Sequence, residues 1–284
     1  MNTQLILSLF PGIGLLDMAF ELEGFCIVRG PDVLWGGDIR RFHPPAGKFD
    51  GMIGGPPCQT FSRLANMVRQ NGYEPKFGNL IPEFERCVAE AQPQWFMMEN
   101  VPDAPRPAVE GYGVWAGVLN NRQCIDEDGK PAKQNRVRAI SFGCKGERRP
   151  LMIDVCLWEN TEFEYAACGG THGEGGISRE QYQDTPAATR ARARKRGVPI
   201  ALGGSGKPKP AVRKSTLNDF VGSNIKSKSS FRRLCELQGL PEDFDLEPFT
   251  VAAKCKAVGN GVPLPMGRAL AKAVKEAMGN QVRK

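Results

Sequence analysis

Short apolar runs separated by glycine and proline dominate the first half of the chain. "LILSLF" (5–10) is an apolar run of β character, and "PGIG" follows it. In "LLDMAFELEG" the residues Leu15, Met18, Ala19 and Leu22 recur at helical spacing, and Gly24 suits a helix C-terminus. The pattern reads strand, glycine turn, helix. "FCIV" (25–28), "FDGMIGG" (49–55) and "QWFMME" (94–99) predict further buried strands. "PEFERCVAEAQ" (82–92) predicts a helix that begins with Pro82 and leads into the last of them. "RVRAISFG" (136–143) alternates in the strand manner. Strands alternating with helices predict an α/β fold: a mostly parallel, doubly wound sheet covered on both faces.

The texture then changes. Residues 145–228 are rich in Gly, Pro, Ser, Thr, Arg and Lys, with little periodicity. Regular pattern resumes at "FRRLCELQGLPEDF" (231–244), and "PLPMGRALAKAVKEAMGN" places Met266, Leu270, Val274 and Met278 four apart on one helical face. The expected organisation is a first domain over 1–144, a small irregular second domain over 145–229, and a return to the first over 230–284, ending in a C-terminal helix.

Composition narrows the class. With 284 residues and a hydrophobic fraction of 41%, the chain can bury one large core, or one plus a small one. No apolar run reaches membrane-spanning length, so no membrane association is expected. "MNTQLILSLFPGIG" has no basic stretch before its apolar run and no small-residue cleavage site, and reads as a core strand rather than a signal peptide. The nine cysteines are odd in number and form no Cys-x-x-Cys pair, which suggests neither a disulfide framework nor a zinc site. A reducing cytoplasm is the expected setting. His43 and His172 are the only histidines, too few for a histidine-rich metal site, so no metal is expected.

The net charge of +7 favours an anionic partner. From Thr185 to Asn218 there are nine Lys or Arg and no Asp or Glu. That stretch is either a solvated loop or a phosphate-contacting surface.

Candidate chemistry begins at the glycine turn. Gly12 and Gly14 stand between strand and helix, where bare backbone can approach a ligand. The dinucleotide fingerprint G-x-G-x-x-G is not met, because position 17 is Asp. Cys58 follows at the carboxyl end of "GMIGG", the edge at which open α/β sheets bind ligands. Pro56 and Pro57 fix two φ angles and remove two amide donors, which makes a stiff ledge, and Gly54 and Gly55 leave room for a bulky partner. The alternative for Cys58 is a buried structural cysteine. Glu99 ends a run of mostly apolar residues, where poor solvation disfavours a charged carboxylate. "QNRVR" supplies Gln134, Arg136 and Arg138. In a strand the two arginines would share a face and need anionic or carbonyl partners.

In their order, "LFPGIGLLD", "GDI", "GGPPCQTFS", "ENV", "QNRVR", "RRLCELQGLPEDF" and "GNGVP" resemble the cytosine carbon-5 DNA methyltransferase family. The resemblance covers residues 5–143 and 230–279. It argues against amino-methylating enzymes, which carry an aromatic residue where Cys58 stands. It implies that the Cys58 thiolate adds to carbon 6 of cytosine and that Glu99 hydrogen-bonds or protonates ring nitrogen 3. Arg138 would hold the carbonyl oxygen of the base, and Arg136 would steady the Cys58 region. The implied methyl donor is S-adenosylmethionine, seated over Phe10, Pro11, Gly12, Ile13, Gly14 and Leu15. Asp32 would meet its ribose and Asp38 its adenine amino group, with Ile39, Pro57 and Asn260 beside them.

The implied partner is double-stranded DNA, and the chain is expected to act as a monomer. A target base must be flipped out of the duplex, at a cost of a few kcal/mol. The segment after Cys58 resembles the loop that closes over it, with Gly72 and Gly78 as hinges. Ser62, Arg63, Arg69, Gln134, Arg192, Arg194 and Arg196 are the expected DNA contacts, and residues 145–229 are the expected target-recognition domain.

The chain also departs from the family pattern. "FCIVRGPDVLWGGDIRRF" compresses the region after the second strand and leaves little room for a helix; Pro11 replaces a small residue; "AKQNR" replaces a Pro-Gln pair. Compression suggests a mobile-element or phage enzyme. Two rival readings remain: a tRNA cytosine methyltransferase of the same fold, and an inactive nucleic-acid-binding relative. Gln59 and Thr60 after the cysteine favour DNA over tRNA, where Cys-Phe-Thr is more usual. Retention of Cys58, Glu99, Arg136 and Arg138 argues against the inactive relative.

Overall fold

In the computed structural model, residues 3–57, 61, 78–156, 164–165 and 228–279 are described, those at 164–165 and 228–230 by backbone alone. The chain divides into two compact units. The first comprises Met1–Ala132, Arg136–Thr161 and Gly261–Lys284; the second comprises Lys133–Asn135 and Glu162–Asn260. Residues 230–260, expected in the first domain, group with the second unit in this division, and the chain re-enters the first at Gly261.

The first unit is built on short, mostly buried strands; the one at Cys26–Arg29, which the sequence predicts as buried, stands largely exposed at the sheet edge. The strands are β1 (Leu5–Leu9), β2 (Cys26–Arg29), β3 (Gly51–Gly54) and β4 (Trp95–Asn100). β3 and β4 are buried along their whole length, as strands covered on two sides must be. β5 (Tyr112–Asn120) and β7 (Val137–Lys145) complete a sheet of order β2-β1-β3-β4-β7-β5. The first four strands are parallel, whereas β7 runs antiparallel to both β4 and β5. The sheet is therefore mostly parallel, as the sequence predicts.

Alternation along β4 divides the core. Trp95 and Met97 join Ile6, Ile53, Ile140 and Phe142 on one face. Phe96 and Met98 join Leu7, Leu9 and Met52 on the other. Helices α1 (Leu15–Leu22) and α5 (Leu264–Gly279) cover the first face; α2 (Ile81–Ala91) covers the second through Phe84, Cys87 and Val88. The stripe predicted on α5 is the one that packs: Met266, Leu270 and Val274 are fully buried. α1 and α5 also meet through Arg268 Nε and Glu23 Oε1, at 2.8 Å. A Cβ added to Gly267 of α5 would stand 2.6 Å from the Ala19 methyl of α1, so the two backbones approach closely.

On α1 the buried face only partly matches the one that spacing predicts. Leu15, Leu16, Ala19 and Phe20 are buried, while Leu22 is 56% exposed. A polar anchor sets the rotation. Asp17 is fully buried, accepting from Ser8 Oγ at 2.5 Å and from Arg29 Nε at 2.9 Å. Burial pushes the Asp17 carboxyl above its usual value, and Ser8 and Arg29 hold it partway back.

The apolar pattern does not predict β5. Gly113 and Gly117 interrupt it, and each is required by packing. A Cβ at Gly113 would meet the Glu147 and Arg148 backbone at 2.3 Å, and one at Gly117 would meet the Trp115 ring at 2.5 Å.

The second unit holds a short parallel ladder between β6 (Gln134–Asn135) and β8 (Glu164–Tyr165). It also holds α3 (Lys228–Leu237) and α4 (Val251–Asn260). Gln238 Nε2 donates to the Val258 carbonyl at 2.7 Å, tying the end of α3 to α4. Among the described residues no helix is long and apolar enough to cross a membrane.

Candidate active site

At the carboxyl end of β3 the chain passes through Gly55, Pro56 and Pro57 toward Cys58. Cys58, Ser62, Arg63, Arg69, Gly72, Arg192, Arg194 and Arg196 lie outside the described residues. The ledge that carries Cys58 is described, and β4 holds it. Asn100 Nδ2 donates to the Pro56 carbonyl at 3.2 Å, and Asn100 Oδ1 accepts from Val101 N–H at 2.8 Å. Asn100 thus ties the end of one strand to the proline turn of the next.

Glu99 stands opposite Ile140 in the β4–β7 register, and Arg138 lies two residues earlier on β7. Arg138 Nε lies 2.7 Å from Glu99 Oε1, and Arg138 Nη1 donates to the Val137 carbonyl at 2.8 Å. Glu99 is 9% exposed. The sequence predicts a carboxylate among apolar neighbours; the structure adds a counter-charge brought in from the antiparallel strand. Gly55 matters here. A Cβ added to it would stand 3.2 Å from Glu99 Oε2, so this glycine makes room for the carboxylate. At Gly54 an added Cβ would meet the Leu9 carbonyl and the Phe84 ring at 2.9 Å. Both glycines answer to internal packing.

Arg136 and Arg138 do not share one strand. The expected strand breaks at Arg136: Gln134–Asn135 pairs with β8, and Val137–Lys145 enters the main sheet. Arg136 is 3% exposed, and its Nη2 donates to the Gly261 carbonyl at 3.0 Å. Gln134, expected to face DNA, is fully buried, and its amide atoms have no hydrogen-bond partner among the described residues. An enclosed side chain cannot reach an outside partner in this arrangement.

Four other cysteines are unsuited to nucleophilic work. Burial pushes the thiols of Cys87, Cys144 and Cys235 up to about 11 and that of Cys124 to about 12. All four stay protonated near neutrality, and the thiol is a poor nucleophile beside the thiolate.

A cavity of about 310 Å³ lies on the other side of the β3 end, and its lining includes Phe10, Asp32, Asp38, Ile39 and Pro57. The sequence points to all five. Val33, Arg40 and Leu80 also line it, and the sequence reading does not find them. The first two immediately follow expected residues, a proximity that could have suggested them; Leu80 carries no such signal.

The floor of this region is a tight turn. Phe10, Gly12 and Gly14 all have positive φ, at 56°, 57° and 81°. For Phe10 that conformation costs roughly 1–3 kcal/mol, and such strain clusters at functional sites. At Gly14 the positive φ is what calls for glycine; an added Cβ would stand 2.7 Å from the Arg29 guanidinium, the far end of a flexible side chain. Pro11, Gly12, Ile13, Gly14 and Leu15 form the turn beside the cavity without appearing in its lining, and Leu15 is buried in the core. Asn260 ends α4 in the second unit.

Side chains clip the turn to the loop after β2. Asp32 Oδ2 accepts from Gly12 N–H at 2.9 Å, and Asp32 Oδ1 accepts from Leu34 N–H at 2.7 Å. The Trp35 indole N–H donates to the Gly12 carbonyl at 2.7 Å. Only one 3₁₀ turn, Val33–Trp35, fits between β2 and the next turn, Ile39–Arg41, which matches the compression read from sequence. Asp38 caps the second turn through Oδ1, accepting from Arg40 N–H at 3.1 Å. Its Oδ2 has no hydrogen bond among the described residues. The arrangement offers a polar acceptor, an apolar wall and a strained backbone turn around one cavity, next to a ledge with a half-buried ion pair.

Comparison with known proteins gives a consistent picture. The pattern of the family described as "C-5 cytosine-specific DNA methylase" matches residues 35–108. The chain is 25% identical to Type II methyltransferase M.FnuDI of Fusobacterium nucleatum, with 96% of this chain and 94% of that protein aligned. It is 24% identical to Type II methyltransferase M.NgoPII of Neisseria gonorrhoeae, with 98% and 97% aligned. Among solved structures, the Spodoptera frugiperda DNMT2 mutant is similar at a TM-score of 0.57 and 13% identity, covering 96% of this chain and 99% of that one. The Entamoeba histolytica methyltransferase EhMeth is similar at a TM-score of 0.52 and 12% identity, covering 98% and 99%. The structural likenesses speak for the fold.

Proposed function

The chain belongs to the C-5 cytosine-specific DNA methylase family, and we propose that Cys58 is its nucleophile while Glu99 and Arg138 hold the target base. Its activity is DNA (cytosine-5)-methylation. The observation that carries the residue assignment is the Glu99–Arg138 pair, 2.7 Å apart, against the glycine that leads into the Cys58 ledge.

The chemistry follows from the base. Cytosine carbon 5 is a weak nucleophile. The Cys58 thiolate forms a bond to carbon 6, and the electron pair of the 5–6 double bond moves toward carbon 5, with charge drawn to nitrogen 3. Glu99 meets nitrogen 3 and stabilises that charge as it develops. Arg138 orients the Glu99 carboxyl and reaches the carbonyl oxygen of the base. Carbon 5, once methylated, loses its proton to solvent base, and the thiolate leaves with the bonding pair, restoring the double bond. Pro56, Pro57 and the Asn100 bond fix the direction from which sulfur approaches, which converts binding into proximity. Arg136, anchored on the Gly261 carbonyl, would steady the Cys58 region.

The cavity fits S-adenosylmethionine. Its volume of about 310 Å³ lies at the lower end of the range of roughly 300–1,000 Å³ for small-molecule sites. When bound there, S-adenosylmethionine supplies an electrophilic methyl group. Asp38 Oδ2 would accept from the adenine amino group, with Ile39 and Phe10 as the apolar wall and Pro57 facing the reacting end. Asp32 keeps the glycine turn in place and would offer its remaining lone pairs to the ribose. Residues 145–229 are read as the target-recognition domain, and the basic run 190–214 as its phosphate contact. Double-stranded DNA is the substrate.

The test is covalent trapping. Duplex DNA bearing 5-fluorocytosine has no proton to lose at carbon 5, so the protein should remain attached through Cys58, located by peptide mapping. Bisulfite sequencing of DNA from expressing cells gives base and site, and tRNA transcripts serve as the rival substrate. A trapped peptide containing another cysteine would overturn the assignment. Methylation of tRNA in place of duplex DNA would overturn the substrate.

A further inference from the structure

Arg86 of α2 does not line the cavity, yet it holds a part of the chain that does. Its Nη2 donates to two backbone carbonyls, Ile39 at 2.9 Å and Phe42 at 3.0 Å. Its Nε donates to Glu83 at 2.9 Å and its Nη1 to Glu90 at 2.8 Å. The remaining direction of Nη1 faces His43 Nδ1 at 3.3 Å, and that nitrogen lies 3.1 Å from Glu90. The guanidinium is thus held from both sides: two carboxylates one helical turn away on α2 fix its plane, and its far edge grips the loop. The side chain is 27% exposed, so these bonds are only partly screened by water.

What it grips is the 3₁₀ turn Ile39–Arg41. This turn is short, and its own bonds are few: Arg41 N–H to the Asp38 carbonyl and Phe42 N–H to the Ile39 carbonyl, both at 3.1 Å. Asp38 and Ile39 at its start line the cavity. A turn this small keeps its orientation only through outside contacts. Ile39 supplies an apolar one, packing with Leu80 and Phe84 in the core, and Arg86 supplies the polar one.

We propose that Arg86 is a positioning residue for the methyl-donor cavity: it fixes the turn that presents Asp38 and Ile39, and so sets cofactor affinity without touching the cofactor. The idea rests on the reading of that cavity as the S-adenosylmethionine site. Lysine cannot replace it, because a single ammonium cannot span two carbonyls and two carboxylates that lie in different directions.

The experiment uses the full chain. S-adenosylhomocysteine binding is titrated by calorimetry, and methylation of unmethylated plasmid DNA is followed at varied S-adenosylmethionine. Arg86→Lys and Arg86→Gln should raise Kd and KM for the cofactor roughly tenfold while kcat at saturation changes by less than about twofold. Val88→Ala, which opens the core two residues along α2, should lower the melting temperature and leave Kd near wild type. Glu83→Gln with Glu90→Gln leaves the guanidinium but removes its anchors, and should raise KM about threefold; this variant decides the matter if the Arg86 variants do not fold. A normal Kd in folded Arg86 variants, or a Val88→Ala loss of affinity equal to theirs, overturns the proposal. Asp38→Asn separates the two ideas. If it binds cofactor as wild type does, the reading of the cavity has failed and the proposal falls with it; if it weakens binding while Arg86→Lys does not, only the proposal fails.

Discussion

At the β3–β4–β7 corner Glu99 and Arg138 stand where strand register puts them. Glu99 faces Ile140, Arg138 faces Leu119 on β5, and the two charges meet at 2.7 Å. At the β1–β2 corner the functional groups stand on loops, and side-chain-to-backbone bonds hold them: Asp32 to Gly12 and Leu34, Trp35 to Gly12, Arg86 to Ile39 and Phe42. Strand ladders stiffen the first corner, with many bonds sharing each load. The second is as stiff as its few clips. Damage to the first should therefore appear in rate, and damage to the second in affinity.

Glu99→Gln puts the greatest strain on this division. It keeps shape but removes the titratable group, and kcat should fall by roughly a hundred- to ten-thousand-fold, with cofactor Kd unchanged. Single-turnover methylation beside calorimetry checks it; a loss confined to Kd would place Glu99 in the wrong corner. Gly55→Ala comes next. The new methyl would press on Glu99 Oε2 at 3.2 Å and displace the carboxylate by a few tenths of an ångström. A kcat loss of about tenfold to a hundredfold at unchanged melting temperature is expected. Unchanged turnover would show that the corner tolerates slack.

Asp32→Ala tests the other side. It strips two backbone amides of their acceptor, so cofactor KM should rise roughly tenfold while kcat holds. An equal fall in kcat would mean that the glycine turn also aligns the reacting atoms, and the division between corners would blur. The smallest effect on turnover should come from Arg192, Arg194 and Arg196 replaced together by Ala. For every arginine that pairs with a phosphate, its removal should reduce the slope of log affinity against log salt by about one. Titration at several salt concentrations decides it: an unchanged slope would make this a solvated stretch.

The two corners also differ in how far sequence reveals them. Glu99 is readable because a strand of apolar residues delivers it to a carboxyl edge. Arg138 is readable too, from its motif, but their pairing is not, because an ion pair between antiparallel strands depends on register, which no local pattern encodes. Asp38 and Ile39 are readable as a short motif, yet Arg86, which holds them, looks like any helix-surface cation flanked by glutamates. The α1 face misleads for a related reason. Spacing assumes that apolar residues point inward, and Asp17 takes an inward position because Ser8 and Arg29 satisfy it. β5 stays hidden because Gly113 and Gly117 are there for close packing, not for pattern.

The pairing of α1 with α5 bears on the order of synthesis. The sheet face that Leu16 and Phe20 help to build is completed only by Met266, Leu270 and Val274, near the other end of the sequence. On a ribosome adding roughly 5–20 residues per second, α1 waits on the order of ten to fifty seconds for its partner. The whole second unit is made in that interval. From their own synthesis until α5 emerges, Trp95 and Phe142, which are fully buried in the finished sheet, lack one wall of their core. The nascent chain is therefore most exposed to aggregation while the strands that carry its chemistry are already made, and its last helix is the step that closes the enzyme.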